Sequence, residues 1–84
     1  MYMIFKEVFM ELINVISSNI AQAGHDPEAN RLIVRFKSGA YYQYDNVPEQ
    51  VFKNFITAQS AGKYFQSYIK NTYPYKKLDV TENR

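Results

Sequence analysis

The side chains of this chain that could do chemistry are phenols, lysines and a single imidazole. Among 84 residues there are eight Tyr, six Phe, one His and no Cys. Without a thiol there is no thiolate nucleophile or thiolate metal site, His25 has no second His, and the acids are scattered along the chain. An oriented nucleophile and base, or a multi-ligand zinc site, cannot be assembled from these parts. The expectation is therefore a protein that is not an enzyme, with no catalytic residue, metal or cofactor. His25 falls where a strand meets a turn, a place for a surface or capping side chain. A better site is Ser60-Ala61-Gly62-Lys63. Read as a helix start, it offers free backbone N–H groups, a hydroxyl, a glycine that admits a close ligand, and a lysine, so Ser60, Gly62 and Lys63 could contact an anion or phosphate. The same residues also make an ordinary N-cap. The longer glycine-rich loop of a nucleotide-binding motif is missing, which argues against ATP hydrolysis.

Basic and aromatic residues alternate in two places. Arg35 neighbours Tyr41 across a hairpin, and Tyr73 and Tyr75 lie beside Lys70, Lys76 and Lys77. With Lys63, these residues form a candidate surface for single-stranded RNA, where lysines meet phosphates and bases stack on rings. Tyr and Arg are equally what protein interfaces favour, so a host or cellular protein partner is the alternative reading. The net charge is only +2, but residues 46–78 hold five lysines against the single acid Glu49. A local basic surface is compatible with this, and so is a solvated helix face; a strongly basic nucleic-acid protein is not.

The elements that must position these groups centre on residues 31–47. Leu32, Val34 and Phe36 alternate with Arg31, Ile33 and Arg35, and a second alternating segment runs from Ala40 to Asp45, which together predict a hairpin. A three-residue loop, Lys37-Ser38-Gly39, places the left-handed position on glycine. It sets Val34 opposite Tyr42 and Leu32 opposite Tyr44, on the core face. A two-residue loop would slip the register and put both tyrosines on the face of Arg35 and Lys37, as a stacking surface. Turn chemistry favours the first, and the sequence permits both.

Before the hairpin, residues 11–16 read as a lead-in or edge strand. Residues 17–25 read as a first strand, with Ile20 as its anchor and Gly24 marking a bulge or close backbone approach. After it, Pro48 suits the first position of a helix over 48–58, whose stripe is Val51, Phe52, Phe55 and Ile56. A second helix over about 61–71 repeats the stripe with Tyr64, Phe65, Tyr68 and Ile69. Tyr73-Pro74-Tyr75 should be extended. The fold class is α+β: a three-stranded antiparallel β-meander followed by two helices packed on one face.

One domain over 10–78 accounts for most of the chain, with a frayed tail at 79–84. Residues 1–9 form an N-terminal extension of uncertain origin. Lys6-Glu7-Val8-Phe9-Met10 can be encoded by a purine-rich ribosome-binding sequence ahead of an initiation codon, which would make Met10 the native start. The alternative is a strand or short helix packing Tyr2, Ile4, Phe5 and Phe9 onto the domain. No run reaches the roughly 20 apolar residues of a membrane span, and Lys6 and Glu7 interrupt the only candidate signal segment. With no cysteines, a cytoplasmic protein is the natural expectation.

Several short motifs occur together in order. They are Ser17-Ser18-Asn19-Ile20, the Phe36-Lys37-Ser38-Gly39 turn, Tyr42-Gln43-Tyr44, Val47-Pro48, Ser60-Ala61-Gly62 and Tyr73-Pro74-Tyr75. In this arrangement, covering about residues 16–78, the chain resembles the KTSC domain. That domain is named after the C-terminus of some lysyl-tRNA synthetases and is also found as a small free-standing protein in bacteria and phages. The resemblance implies RNA or tRNA as a partner, through the synthetase attachment.

Overall fold

The structure is a computed structural model that describes residues 2–5 and 8–79, with side chains from Met10 onward. Its main sheet has five antiparallel strands in sequential order: β3 (Ile13–Asn14), β4 (Ile20–Asp26), β5 (Arg31–Phe36), β6 (Tyr41–Tyr44) and β7 (Tyr75–Leu78). A separate two-stranded hairpin precedes it, in which β1 (Tyr2–Phe5) pairs with β2 (Val8–Glu11). The α+β class holds, but the three-stranded meander is corrected to five strands. The lead-in at Ile13–Asn14 pairs with β4 at Ala23 and Gln22, and the residues after Pro74 return to pair with β6. Pro74 lacks an N–H, yet its carbonyl accepts the Asp45 N–H (2.9 Å) just before β7 begins, so it starts the strand without interrupting a ladder.

The β5–β6 register is the one that glycine in the left-handed position selects. Val34 faces Tyr42, Leu32 faces Tyr44 and Arg35 faces Tyr41. Gly39 has φ 98°, and its N–H closes the turn on the Phe36 carbonyl at 2.9 Å. Gly24 answers a different need. A Cβ there would lie 2.5 Å from the Glu11 carbonyl oxygen and 2.8 Å from Leu12 Cδ2, so a bare backbone lets the N-terminal segment cross β4 closely. The β4 bulge lies between Ile20 and Gln22.

Both faces of the sheet are covered, rather than one. Helix α1 (Glu49–Thr57) and helix α2 (Ala61–Tyr64) lie on the face of Leu32, Val34 and Tyr44, where Phe55, Phe65 and Ile69 complete the main core. On the opposite face Met10 and Leu12 pack with Ile33 and Tyr41, with Leu78 against them. Pro48 stands at the N-cap of α1, one residue before the first helical position, and its carbonyl accepts from the Val51 and Phe52 N–H groups. α2 continues without a break into a π-helical turn, Phe65–Ile69, in which the Lys70 N–H reaches back five residues to the Phe65 carbonyl (2.9 Å). Turns of this kind insert one extra residue into a helix and recur at functional sites. The expectation of packed side chains at Tyr2, Ile4, Phe5 and Phe9, and of a frayed tail beyond Asp79, lies outside the described residues.

Candidate functional site

Three separate segments meet at one end of the sheet. Ser17 builds the first by local bonding: its hydroxyl oxygen accepts from the Asn19 and Ile20 N–H groups, both at 3.3 Å, which folds Ser17-Ser18-Asn19 into a tight turn. The second is the hairpin tip, where the Ser38 hydroxyl oxygen accepts the Ala40 N–H. A backbone bond from the Lys37 N–H to the Asn19 carbonyl (2.8 Å) fastens these two together. The third is the second helix with its π turn. Gly62 brings its start so close to the first turn that an added Cβ would sit 3.2 Å from the Ser17 hydroxyl.

Between them lies a groove of about 520 Å³, within the roughly 300–1,000 Å³ typical of ligand clefts. Tyr42 and Tyr44 from β6 and Phe36 from β5 form its floor, Phe65, Gln66 and Lys70 line the helix side, and Tyr75 stands on β7. The rings are held in a network. Phe36 meets Tyr42 edge-on at 5.5 Å, Tyr44 meets Phe65 edge-on at 5.4 Å, and Tyr75 tilts over both Tyr42 and Tyr44 at 5.8 and 5.6 Å. Tyr44 is 3% exposed, whereas Tyr75 is 59% exposed and presents its ring to water. Burial, then the neighbouring Tyr75 and Tyr42, push the Tyr44 phenol up to about 12, so it stays protonated at neutral pH.

A second, polar recess of about 530 Å³ adjoins the groove and shares Ser18, Asn19 and Gln66 with it; Ser60, Gly62 and Lys63 lie along it. Among the described residues, neither recess is lined by an Asp or Glu. Lys37 and Lys70 line the groove, and the register puts Lys77 opposite Tyr42, on the same face of the sheet. Among the described residues, an aromatic floor thus carries a rim of lysines.

The structure brings together some of the residues nominated from sequence and disperses others. Lys70 and Tyr75 line the groove, Lys77 flanks it, and Lys63 sits in the adjoining recess. Tyr73 is half-buried against the main core. Lys76 stands opposite Gln43, on the far face of the sheet. Tyr41 is a correction: expected at the surface beside Arg35, it is 2% exposed, because Met10 and Leu12 cover that face. Arg35 does lie over its ring, at 5.8 Å, and also donates to the Gln22 side-chain oxygen, but it does so on the face away from the groove. At the proposed anion contact, the Ser60 hydroxyl accepts the Lys63 N–H at 3.3 Å, the geometry of an N-cap. His25 places Nε2 against the Val47 carbonyl at 2.6 Å and stacks on Phe52.

The sequence pointed to no site role for Phe36, and to one for Lys37, Tyr42 and Tyr44 only in the two-residue-loop register, which the fold does not adopt. Tyr42 and Tyr44 are core residues in register, as the turn chemistry required, and still reach a ligand-sized groove, because the π-helical turn and Tyr75 bound the sheet there without closing over it. The signal was available in the motifs. Ser17-Ser18-Asn19, Phe36-Lys37-Ser38, Tyr42-Gln43-Tyr44, Ser60-Ala61-Gly62 and Tyr75 come from distant parts of the chain, and all contribute to the two recesses.

A five-stranded antiparallel sheet with two helices on one face and an aromatic, basic groove at one end defines a small α+β domain built around a recess. The chain belongs to the KTSC domain family, whose pattern residues 16–73 match. It is similar to a crystallised KTSC domain protein from Yersinia pestis, with a TM-score of 0.80 and 36% identity over 83% of this chain and 99% of that one. It is 37% identical to an uncharacterised protein of Stutzerimonas stutzeri, across 83% of this chain and all of that protein. A lysine–tRNA ligase from Nostoc is 35% identical over 54 residues, which is 64% of this chain but only 10% of the ligase.

Proposed function

We propose that this protein is a non-catalytic RNA-binding module, cytoplasmic in setting, and that the aromatic groove with its rim of Lys37, Lys70 and Lys77 is where RNA binds. The observation that carries this reading is the chemistry of the groove: exposed and half-buried tyrosine rings, flanking lysines and, among the described residues, no lining carboxylate. Phosphates favour such a rim, and bases favour such rings. The similarity to a segment of lysine–tRNA ligases supports tRNA as one natural source of the ligand.

The test is fluorescence anisotropy of the protein with bulk tRNA and with an unstructured single-stranded RNA, at two salt concentrations, beside a Lys37→Glu/Lys70→Glu variant. The proposal expects binding by the wild type that weakens with salt, because each phosphate contact releases counterions. The charge reversals should remove it. If no RNA binds even at low salt, the reading fails, and the exposed Tyr75 face becomes a candidate for a protein partner, which should depend less on salt.

A further inference from the structure

We infer that the groove holds one unpaired nucleotide, its base laid against the Tyr75 ring with a polar edge on the Tyr44 hydroxyl, and its flanking phosphates on Lys37 and Lys70. This rests on the RNA reading above and narrows it to single-stranded RNA engaged through its bases.

Three observations point to it. First, the Tyr44 ring is almost fully buried yet lines the groove, while its hydroxyl takes no hydrogen bond among the described residues and is open to the recess. A hydroxyl at the bottom of a recess, satisfied by water when the groove is empty, can bond a ligand group that displaces that water. A phenol both donates and accepts, so it suits the edge of any base rather than one alone. Second, the floor rings are packed on one another, Phe36 with Tyr42 at 89° and Tyr44 with Phe65 at 87°. Tyr75, 59% exposed and tilted over the floor, is the exposed ring of the groove and the one a flat ligand meets first. Third, lysines from two separate segments, the hairpin tip and the helix, lie on the rim, and no acid among the described residues lines the groove. A base in a duplex is stacked on both sides and keeps its pairing edge occupied, so it cannot enter a recess to reach Tyr44. An unpaired base can be splayed outward to do so.

The test compares three labelled probes at low salt by anisotropy: a short single-stranded RNA, a strand of equal length lacking its bases, and a perfect duplex. The single strand should bind at least about fivefold more tightly than the abasic strand, the low end of one lost stack. It should exceed the duplex by a similar factor. Tyr44→Phe should weaken single-strand binding about fivefold and leave the abasic strand unchanged, the effect of one lost hydrogen bond. Tyr75→Ala, at a position 59% exposed, should weaken the single strand alone, with circular dichroism confirming the fold. Equal binding of the three probes, or of wild type and both variants, overturns the inference and leaves RNA binding standing. A free nucleoside monophosphate that binds as tightly as the strand also overturns it, by moving the ligand from RNA to small nucleotides. Failure of every probe and of tRNA removes both the inference and the RNA reading beneath it.

Discussion

Replacing Gly24 by Ala tests whether the N-terminal segment is part of the fold. The added methyl would sit 2.5 Å from the Glu11 carbonyl oxygen, 2.8 Å from Leu12 Cδ2 and 3.0 Å from the Met10 sulfur, in a place with no space to spare. Backbone on one side and buried side chains on the other leave β4 and the 10–12 segment to move apart. Over-packing of this kind costs about 1–3 kcal/mol. Against it, alanine restricts the unfolded chain and returns about 0.4–1 kcal/mol. The net expectation is a loss near 1–2 kcal/mol, which in a domain of this size lowers Tm by roughly 5–15 °C. Urea unfolding followed by circular dichroism measures the loss directly. Gly39→Ala is the comparison, since it has φ 98° and nothing within 4 Å, so it carries backbone strain without a clash. The reasoning is refuted if Gly24→Ala is as stable as the wild type, or more so. Met10 and Leu12 would then not lie over Ile33 and Tyr41.

Other perturbations separate the parts of the fold. Phe55→Ala empties a fully buried site where α1 meets the core and should cost about 3–5 kcal/mol, a large share of the stability of a small domain, read by urea unfolding. Folded Tyr44 keeps its proton to about pH 12, whereas an unfolded tyrosine releases it near 10. Its contribution is therefore complete below pH ~10 and is lost as the pH rises toward 12. Relative to Tyr44→Phe, the wild type should lose up to about 2 kcal/mol over that window, and identical alkaline unfolding of the two would contradict the burial of the phenol. Asp45→Asn removes an ion pair whose Arg31 Nε lies 4.0 Å away at a partly exposed site, so it should cost under about 1 kcal/mol in the same unfolding assay.

The hairpin was legible because local chemistry decides it. Gly39 can occupy a left-handed position that Ser38 cannot occupy as easily, and that one preference sets every cross-strand pair from Arg35 and Tyr41 to Leu32 and Tyr44. The helices were legible for a similar reason, since Val51, Phe52, Phe55 and Ile56 repeat at helical spacing. What covers the second face of the sheet was not. Ile33 between two arginines, and Tyr41 and Gln43 beside them, read as a wet face, yet all three are buried. The residues that bury them lie some twenty positions or more upstream, and no periodicity within a strand can announce a neighbour from elsewhere in the chain. Gly24 carried the one trace of it, as a position where a strand must do without a side chain. The candidate site was half visible: Lys70 and Tyr75 were nominated, while Tyr42 and Tyr44 were offered as core in one register and as a stacking surface in the other, never as both. They serve both purposes, and only the ends of the helix and of β7 determine where the core stops and the groove begins.

The π-helical turn at Phe65–Ile69 makes the groove wall sensitive to residue count as well as residue type. Loss of one codon within the turn would remove the inserted residue and let the segment close as ordinary α-helix, drawing in the stretch of backbone that carries Gln66 and Lys70 on the groove wall. In a domain whose floor is fixed by strand register, a change in length within this single turn is therefore a coarse adjustment of what the recess can accept, and substitution at Gln66, Lys70 or Asn71 is the fine one.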